Sequence, residues 1–591
     1  MSNLQYILLA CFFYITSYCY YLRISHGLGN KATYLQLRRF IPCALLAVLP
    51  AYLANFLLTE PLFIIPAITA YLWIFTYPTL YYISNHKVSS DFEFHFEAVF
   101  GLYLIAWISS LGILAKHITI LALPFSVIFT IIELFLILIP IAQLFYFGLY
   151  RSCINENGMQ MLQETHYNEI IEFFKSMPWY FNCGMLFIII AATTTIEYGN
   201  YLTLQQPLSL SSYALLLNAI VAIFLTSYLW KKKHGVFIRT AIVEFYLDIK
   251  EYLATNKLYL TNLQQRYDKL SVKPLGKPFD GPSTIILVIG ESASRDYMKA
   301  FNPSYKYETT PWLSEQKNNK NFILFPNAYS IGANTVYAVS NALTEMNQYN
   351  DKKFYESCSI VDIAHKLGYK VHWYSNQGHL GSADTPVTLM ADTSDVAKWT
   401  KQELNEVQYD TSLINYLDEI DSHSNNFVVI HLKGSHFNFI NRYPKDFTKF
   451  GKPGKYSLED NYANSIAFTD DVLQQIFDYG KSRLNLQAMI YFSDHATIPD
   501  KRRSPNFEGM GSLRIPLFTY FSNDYMQKNK QIVDTLKAHS NYYWTNDLAY
   551  DLLCSIFNIS SNCFDEANSL ASTKFKFRKE DLRTSGGPIK E

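Results

Sequence analysis

The chain has 591 residues, with 50 basic and 50 acidic side chains and therefore no net charge. The length predicts two or more domains, and the balanced charge excludes the basic excess with which proteins normally meet a phosphate backbone, so no nucleic-acid partner is expected. Residues 1–230 hold only 8 basic and 10 acidic side chains, which is typical of a membrane domain that precedes an ordinary soluble one.

Seven apolar runs fill the predicted membrane domain, residues 1–230, and each is near the ~20 residues that a helix needs to cross a bilayer. The runs cover about 5–22, 40–58, 62–83, 98–115, 119–148, 179–196 and 212–230. Short separators between the second and third runs, and between the fourth and fifth, allow either pair to form a hairpin or a re-entrant segment. We therefore expect five to seven spans, the first of which is an anchor because no cleavage site follows it before Arg23.

Charged residues near the runs bear on orientation and packing. Four basic residues lie in the loop 23–39, and Lys231–Lys233 follow the last run, so the positive-inside rule favours a cytoplasmic side for both. Glu133 lies within the fifth run, where a carboxylate in contact with lipid is costly. It is expected to face the interior of the helix bundle, as either a packing or a functional group.

Residues 231–278 are predicted to be a linker of amphipathic helices. The stretch 236–270 mixes apolar and charged positions at helical spacing, and could lie on the bilayer surface or pack on the soluble domain. Prolines and glycines between 274 and 282 mark a domain boundary. We expect a soluble domain over 279–575 and a polar tail over 576–591.

Five short apolar runs in the soluble half are typical of buried parallel strands. They are 284–290, 369–375, 427–432, 488–493 and 515–520. Helical stretches such as 359–367 and 462–479 lie between them. This alternation predicts an α/β domain with a mixed, mainly parallel sheet and helices on both faces.

Acidic, amide and imidazole side chains follow the ends of these runs. Glu291 follows the first, Asn376 the second, His436 the third, and Asp494 with His495 the fourth. Ligands of such sheets bind at the carboxyl ends of the strands, and carboxylates with imidazole suit a divalent metal such as zinc. Each of these residues alone is more often part of a turn or a helix cap. The prediction of a metal site therefore rests on their joint occurrence after successive strands.

Several motifs occur in order over about 280–525. They are Ile289–Arg295 with Tyr307–Leu313, Asn327–Thr335, His431–His436 with Arg442–Pro444, and Tyr491–His495. Together with the membrane region before them, they resemble the phosphoethanolamine transferases of bacterial lipopolysaccharide, which belong to the alkaline-phosphatase and sulfatase superfamily. The Gly-Glu-Ser form at residues 290–292 is similar to the subgroup that modifies the heptose core.

The resemblance implies a sulfatase-like domain and a zinc-dependent transferase. Phosphoethanolamine would pass from phosphatidylethanolamine, the donor, to a lipopolysaccharide acceptor, either core heptose or lipid A, through a phospho-threonine. The family pattern makes Thr335 the nucleophile, because metal coordination activates a hydroxyl that is a weak nucleophile at its own pKa. The zinc ligands that the resemblance implies are Glu291, Thr335, Asp494 and His495, and the donor-pocket residues are His436 and Asn376.

The loop after the fifth run also resembles the family. Gln163-Glu164-Thr165, followed by Glu169, is similar to the periplasmic loop that reaches the active site, so Thr165 and Glu169 are expected to bind substrate. The alternative is a solvated amphipathic helix between two spans. Two apolar runs separate this loop from the soluble half, which implies an inner-membrane protein with a periplasmic catalytic domain, against the orientation that Lys231–Lys233 favour.

The sequence departs from the family at the metal motif. The family continues Ser-Asp-His-Gly-Glu, whereas this chain has Ser493-Asp-His-Ala-Thr497, and the histidine expected within 496–514 is absent. Glu508 lies nearest to that place and is predicted to replace it. Elsewhere, Cys554 and Cys563 are close enough in sequence to pair in an oxidising compartment.

Other functions stay open at this point. A phosphoglycerol transferase that uses phosphatidylglycerol, or a phosphate- or sulfate-ester hydrolase, would use the same superfamily site, although no sulfatase C/S-x-P-x-R motif surrounds Thr335. A catalytically inactive membrane scaffold would explain the altered metal motif. The intact set of four predicted zinc ligands favours an enzyme.

Overall fold

The structure is a computed structural model that describes residues 3–24, 30–55, 58–85, 95–154, 156–164, 167–206, 208, 210–277, 279–377, 385–400, 407–500 and 509–590. The chain divides into two compact units. One comprises Met1–Gln160 and Met177–Lys250, and the other Met161–Ser176 and Glu251–Glu591. We call them the membrane unit and, after the activity that the sequence leads us to expect, the catalytic unit.

Seven of the described helices in the N-terminal half are long because apolar residues follow one another with few breaks, and the two over 156–176 are short and amphipathic. In chain order these helices are α1 (Asn3–Ile24), α2 (Asn30–Leu53), α3 (Pro61–Asn85), α4 (His95–Ala115), α5 (Ala122–Tyr150), α6 (Glu156–Glu164), α7 (Tyr167–Ser176), α8 (Trp179–Gln205) and α9 (Ser212–Trp230). Within the described residues, five of them, α3, α4, α5, α8 and α9, are long and apolar enough to cross a membrane. The predicted polytopic helical membrane domain is confirmed, and the expected number of five to seven spans stays a prediction.

Glu133 on α5 lies inside the membrane unit, as expected from the cost of a carboxylate in lipid. Its side chain is fully buried, and its Oε2 accepts a hydrogen bond of 2.7 Å from Nδ2 of Asn200 on α8. This contact makes Glu133 part of the α5–α8 packing.

The connector continues as α10 (Ala241–Asn256), α11 (Leu258–Thr261) and α12 (Leu263–Lys269). Arg266 of α12 is buried in the catalytic unit, with its Nε 3.4 Å from Asp362 and its guanidinium over the ring of Tyr259. A strand at 272–274 then pairs antiparallel with one at 559–561. Of the two environments expected for the connector, packing on the soluble domain is the one that α11 and α12 adopt.

The catalytic unit is built on a seven-stranded sheet. The strands of the chain are β1 (Val272–Pro274), β2 (Thr284–Gly290), β3 (Phe322–Leu324), β4 (Ala328–Tyr329), β5 (Lys370–Ser375), β6 (Val396–Trp399), β7 (Asn426–His431), β8 (Leu486–Ser493), β9 (Leu517–Phe521), β10 (Trp544–Thr545), β11 (Ile559–Ser561), β12 (Arg583–Thr584) and β13 (Gly587–Pro588). The large sheet has the order β3-β9-β8-β2-β7-β5-β6, and only β9 runs against the other strands. The predicted mixed, mainly parallel sheet is confirmed.

Helices cover both faces of this sheet. They are α13 (Pro311–Glu315), α14 (Thr335–Leu343), α15 (Ile360–Lys366), α16 (Pro386–Ala391), α17 (Ile414–Leu417), α18 (Leu458–Arg483), α19 (Asn523–Lys528), α20 (Lys530–Ala538) and α21 (Ala549–Ile556). Alternate residues of β2 enter different cores: Ile285, Leu287 and Ile289 join one, and Ile286 with Val288 joins the other. A strand buried on both faces needs an apolar residue at every position, which is why its sequence is a continuous apolar run.

The C-terminal segment 576–591 was expected to be a polar tail. Its described part instead contributes Phe577, Leu582 and Ile589 to the core that contains Ile285 and Leu287. These apolar residues are spaced too widely to form a recognisable run, so the sequence alone did not reveal their burial.

Cys563, which is close to Cys554 in sequence, lies beside a different cysteine in the fold. Cys554 is fully buried on α21, and the Sγ of Cys563 lies 3.3 Å from the Sγ of Cys358 instead. Cys358 directly precedes Ser359, the N-cap of α15, and Cys563 follows β11. β11 therefore carries Cys563 towards α15, next to a thiol that lies 205 positions away in sequence.

Candidate active site

Two neighbouring strands bring the predicted metal residues together. β2 and β8 are parallel, and Gly290 lies opposite Ser493 at their carboxyl ends. The backbone N–H of Asp494 donates to the carbonyl of Gly290 at 3.0 Å, so Glu291 and Asp494 leave the sheet side by side. This explains why residues so far apart in sequence form one site.

Glu291, Asp494 and His495 form a compact buried cluster. Each offers one ligand atom, these atoms lie within 4.8 Å of one another, and no side chain is more than 1% exposed. Nε2 of His495 is 3.3 Å from Oε1 of Glu291 and 3.4 Å from Oδ2 of Asp494. Thr335 completes the predicted set, since its Oγ donates to Oε2 of Glu291 at 3.0 Å.

The turn after Glu291 is held in a strained conformation. Ser292 has a φ of 58°, in the left-handed region that residues other than glycine rarely adopt. Its N–H donates to Asp494 Oδ1 and its Oγ to Glu291 Oε1. The hydroxyl of Tyr462 donates to the carbonyl of Ser292 and accepts from the N–H of Ser294. These bonds fix the direction of the Glu291 carboxylate.

Thr335 begins α14, and its position is set by the cap of that helix. The side chain of Asn334 accepts a hydrogen bond from the N–H of Tyr337, which stabilises the first turn. Thr335 is half-buried, whereas the three cluster residues are buried. Its hydroxyl therefore lies between solvent and the cluster, at a helix end where the backbone dipole favours negative charge.

A second set of bonds ties Asp494 to the loop before Thr335. Nδ2 of Asn546 donates to the carbonyl of Asp494 at 2.8 Å, and its Oδ1 accepts from the N–H of Ile331. Oγ of Ser330 lies 2.6 Å from the same carbonyl oxygen. Neither residue was selected from the sequence: Ser330 lies within the motif Asn327–Thr335 without a metal-ligating side chain, and Asn546 lies outside every motif.

The electrostatics of the cluster favour a bound cation. Burial, and then the neighbouring Glu291 carboxylate, raise the pKa of Asp494 above its usual value. The carbonyl of Ala496 can only accept, so the Nδ1 that lies 3.0 Å from it carries the proton in a neutral His495 ring. Nε2 of that ring then presents a lone pair to two carboxylates. Among the described residues no donor reaches Oδ2 of Asp494.

These donors fit zinc. Zinc takes carboxylate oxygen and imidazole nitrogen at a tetrahedral site, and a positive ion would relieve the repulsion among Glu291, Asp494 and the Nε2 lone pair of His495. The contact from His495 Nδ1 to a carbonyl is the outer bond that orients a metal-binding imidazole. Thr335 Oγ is placed to supply the fourth donor.

The loop after β7 packs directly on Glu291. Gly434 has a φ of +49°, and a side chain there would place its Cβ 2.7 Å from the Glu291 carbonyl oxygen. The N–H of Ser435 donates to that same carbonyl. His436 follows at once, with its Nδ1 2.7 Å from the carbonyl of Phe437. The predicted donor-pocket histidine thus lies on a loop that contacts the cluster.

Asn376, the other predicted donor-pocket residue, has protein partners for both ends of its amide. Nδ2 donates to Oδ1 of Asp410, and Oδ1 accepts from Thr400. Asp410 also accepts from the N–H groups of Lys433 and Gly434, so Asn376 helps to fix the loop after β7, and its role in binding the donor stays a prediction.

Gln377, the last described residue after β5, reaches the cluster. Its Nε2 donates to Glu291 Oε2 at 3.3 Å and to the carbonyl of Leu432 at 2.7 Å. Sequence reasoning passed over Gln377, although it stands next to the selected Asn376 in the same strand-end motif.

Three predicted residues have no described side chain. Thr165 and Glu508 lie outside the described residues. Glu169 lies on α7, and its side chain is likewise outside the described part. The helix α7 itself belongs to the catalytic unit. The roles of these three residues stay predictions.

The fold and the cluster define a sulfatase-type domain, and residues 283–553 match the sulfatase family model. Among curated proteins, the chain is 33% identical over 226 residues to a putative phosphoethanolamine transferase of Haemophilus influenzae, covering 36% of this chain and 44% of that protein. It is 26% identical over 337 residues to phosphoethanolamine transferase EptC of Escherichia coli K12, covering 52% and 56%. The predicted resemblance to phosphoethanolamine transferases is confirmed.

The matched region spans about half the length of these curated relatives. A solved structure extends the comparison to the membrane domain. The integral membrane protein lipooligosaccharide phosphoethanolamine transferase A of Neisseria meningitidis aligns with a TM-score of 0.55 and 16% identity, over 89% of this chain and 98% of that one. At this identity the similarity shows the fold, a helical membrane domain joined to a sulfatase-like domain.

Proposed function

We propose that this protein is a zinc-dependent phosphoethanolamine transferase of the bacterial inner membrane. The donor is phosphatidylethanolamine and the acceptor is a sugar of lipopolysaccharide, either a core heptose or lipid A. One observation carries the proposal: the half-buried hydroxyl of Thr335 lies 3.0 Å from Glu291 at the edge of a buried Glu–Asp–His cluster. A nucleophile in that place suits phosphoryl transfer, and the membrane domain suits lipid substrates.

The proposed reaction has two in-line steps. In the first, Thr335 Oγ forms a bond to the phosphorus of the lipid, the bond from phosphorus to the diacylglycerol oxygen breaks, and that oxygen takes up the hydroxyl proton. In the second, the sugar hydroxyl attacks phosphorus, the bond to Thr335 breaks, and Thr335 regains a proton. When bound by Glu291, Asp494, His495 and Thr335, zinc would lower the pKa of the hydroxyl and neutralise the phosphoryl oxygens.

The residues of the chain have separate tasks in this scheme. Glu291 accepts the hydrogen bond of the Thr335 hydroxyl and so orients it towards the cluster. The N-terminus of α14 supplies a favourable field for the phosphoryl charge. His436, Thr165 and Glu169 are proposed to hold the phosphoethanolamine headgroup, and Glu508 to replace the histidine that the family has after the metal motif.

The proposal places the soluble domain in the periplasm. Two helices that can span a membrane, α8 and α9, lie between α7 and the connector, and an even number of crossings returns the chain to the same side. A phosphatase that is active only in the periplasm, fused after Glu591, should be active, and a fluorescent protein that matures only in the cytoplasm should stay dark. The opposite pattern would overturn the location and, with it, the lipopolysaccharide acceptor.

The function is tested by mass spectrometry of lipopolysaccharide from cells with and without the protein. Wild type should add one phosphoethanolamine group, and analysis of separated core and lipid A fractions assigns the acceptor. Thr335→Ala should lose at least about 10³-fold of the transfer rate, as enzymes that lose a nucleophile do. Thr335→Ser should keep part of the activity because the hydroxyl remains.

The matched control is Thr261→Ala, an exposed threonine on α11, which should behave as wild type. Equal activity in Thr335→Ala would refute the nucleophile. Transfer of phosphoglycerol from phosphatidylglycerol, or release of the headgroup without an acceptor, would replace this function with another of the same superfamily. If the lipopolysaccharide stays unmodified whichever donor lipid is supplied, the result would favour an inactive membrane scaffold.

A further inference from the structure

Two cysteines far apart in sequence meet in the catalytic unit. Sγ of Cys358 lies 3.3 Å from Sγ of Cys563, and 205 positions separate them in the chain. Cys358 is 3% exposed, whereas Cys563 is half-buried. One thiol is therefore protected and the other can be reached by a reagent, which is the arrangement that thiol–disulfide exchange needs.

Glu345 lies beside both sulfurs, with one carboxylate oxygen within 4.8 Å of each. Its Oε1 accepts a hydrogen bond of 2.9 Å from the N–H of Cys358, and its Oε2 pairs with the ammonium of Lys352. A metal ion at this place would have to displace the positive charge of Lys352 from Glu345. The local charges thus disfavour a cation between the two sulfurs.

Burial keeps the reduced pair uncharged. The neighbouring Cys563 thiol, and then burial, raise the pKa of Cys358, so its sulfur stays protonated until it reacts. A disulfide carries no charge and has no polar hydrogen to satisfy in a buried site.

We propose that Cys358 and Cys563 form a disulfide in the periplasm. This inference rests on the proposed location of the soluble domain, and the oxidant is a disulfide carrier of that compartment. The half-buried Cys563 loses a proton and attacks the carrier disulfide, which releases one carrier thiol. Cys358 then loses its proton and attacks Sγ of Cys563, and the second carrier thiol leaves. The protein dithiol loses two electrons and two protons, and the carrier disulfide gains them.

The bond would join three parts of the catalytic unit. The segment before Cys358 meets the end of α14, since Thr344 pairs with Ser359 and the N–H of Glu345 donates to the carbonyl of Cys358. On the other side, Cys563 follows β11, which pairs with β1 of the connector. The disulfide would therefore tie the C-terminal region and the connector to the helix that begins with Thr335.

The experiment uses purified full-length protein from the bacterial membrane. It is denatured without reductant in an alkylating agent and digested for mass spectrometry. The expected result is a linked peptide pair that contains Cys358 and Cys563, with Cys554 alkylated. Reductant should lower the Tm of wild type by about 5 °C or more. It should not change the Tm of Cys358→Ser or Cys563→Ser, and the control Cys554→Ser should keep the linked pair.

The wild-type melt with and without reductant tests the bond even where a variant fails to fold. Alkylation of both cysteines without reductant, before and after treatment with glutathione disulfide, would overturn the proposal. A metal that is lost from Cys358→Ser, with no linked pair, would overturn it in favour of a metal site. If the two cysteines are reduced in the isolated protein and become linked only after treatment with glutathione disulfide, the disulfide does not form in the cell. That result would overturn the proposal and contradict the periplasmic location. The transferase assay would be unaffected.

Discussion

Replacing Asp494 with Asn should weaken zinc binding and at the same time stabilise the metal-free protein. The ligand atoms of Glu291 and Asp494 lie within 4.8 Å of each other, and both side chains are buried. Two unit charges at that distance repel by about 3.5 kcal/mol when the effective dielectric constant is about 20. An amide has no charge, so Asp494→Asn removes this repulsion with little change in size.

The measurable gain is smaller than the full repulsion, because wild type relieves part of it when Asp494 binds a proton. We expect metal-free Asp494→Asn to be more stable by about 1–2 kcal/mol at pH 8, which is a rise in Tm of about 2–6 °C. Zinc affinity should fall by at least about 10²-fold, since even the outer partners of metal ligands are worth about 10–100-fold. The two effects have opposite signs.

The assay combines thermal unfolding, in chelator and in zinc, with the zinc-to-protein ratio of the purified chain. Asp534→Asn, an exposed carboxylate on α20, is the matched control and should change neither quantity. A variant with a merely damaged fold would melt lower in both conditions. Wild-type zinc content in Asp494→Asn, or a lower Tm in chelator, would refute the cluster as the metal site.

Three further predictions concern single side chains. Gln377→Ala removes a hydrogen bond to Glu291 and should lower kcat about 10-fold, whereas Gln475→Ala, an exposed glutamine, should not; equal kcat values would exclude a positioning role. Burial raises the pKa of Asp551 to about 7, so the folded protein holds a proton that the unfolded chain has released, and stability should fall as the pH rises from about 4 to 7. Asp551→Asn should flatten this slope, and an equal slope in both proteins would contradict the assignment. Glu508→His should make activity less dependent on added zinc, and a Glu508→Ala variant that titrates like wild type would show that Glu508 has no role.

The central strands could be predicted because their environment dictates their composition. β2 and β8 are buried along their whole length, so most of their positions are apolar and their sequences are typical of strands. β6, at one edge of the sheet, has only half-buried residues and includes Lys398. β3, at the other edge, is three residues long. Neither edge strand offers a run that distinguishes it from a loop.

The Glu291–Asp494–His495 cluster could be predicted because parallel strands end at one edge, so residues after β2 and β8 are neighbours. The residues that hold the cluster in place by hydrogen bonds could not be predicted from the sequence, because Asn546 and Tyr462 reach the cluster only through the tertiary fold. The same reason explains Cys563, whose partner is set by where β11 runs. Asn376 and Gln377 are adjacent amides of one strand-end motif that the sequence reveals. Which of the two reaches Glu291 depends on the turn after β5, which the sequence alone does not determine.

The central claim is that Thr335 carries the phosphoethanolamine group between donor and acceptor. The most direct measurement is mass spectrometry of the purified, zinc-loaded protein after brief incubation with phosphatidylethanolamine and no acceptor. The account predicts a mass increase of one phosphoethanolamine group on the peptide that contains Thr335, none in Thr335→Ala, and loss of the group when the lipopolysaccharide acceptor is added. A group found on a different residue, or transfer by Thr335→Ala at the wild-type rate, would contradict it.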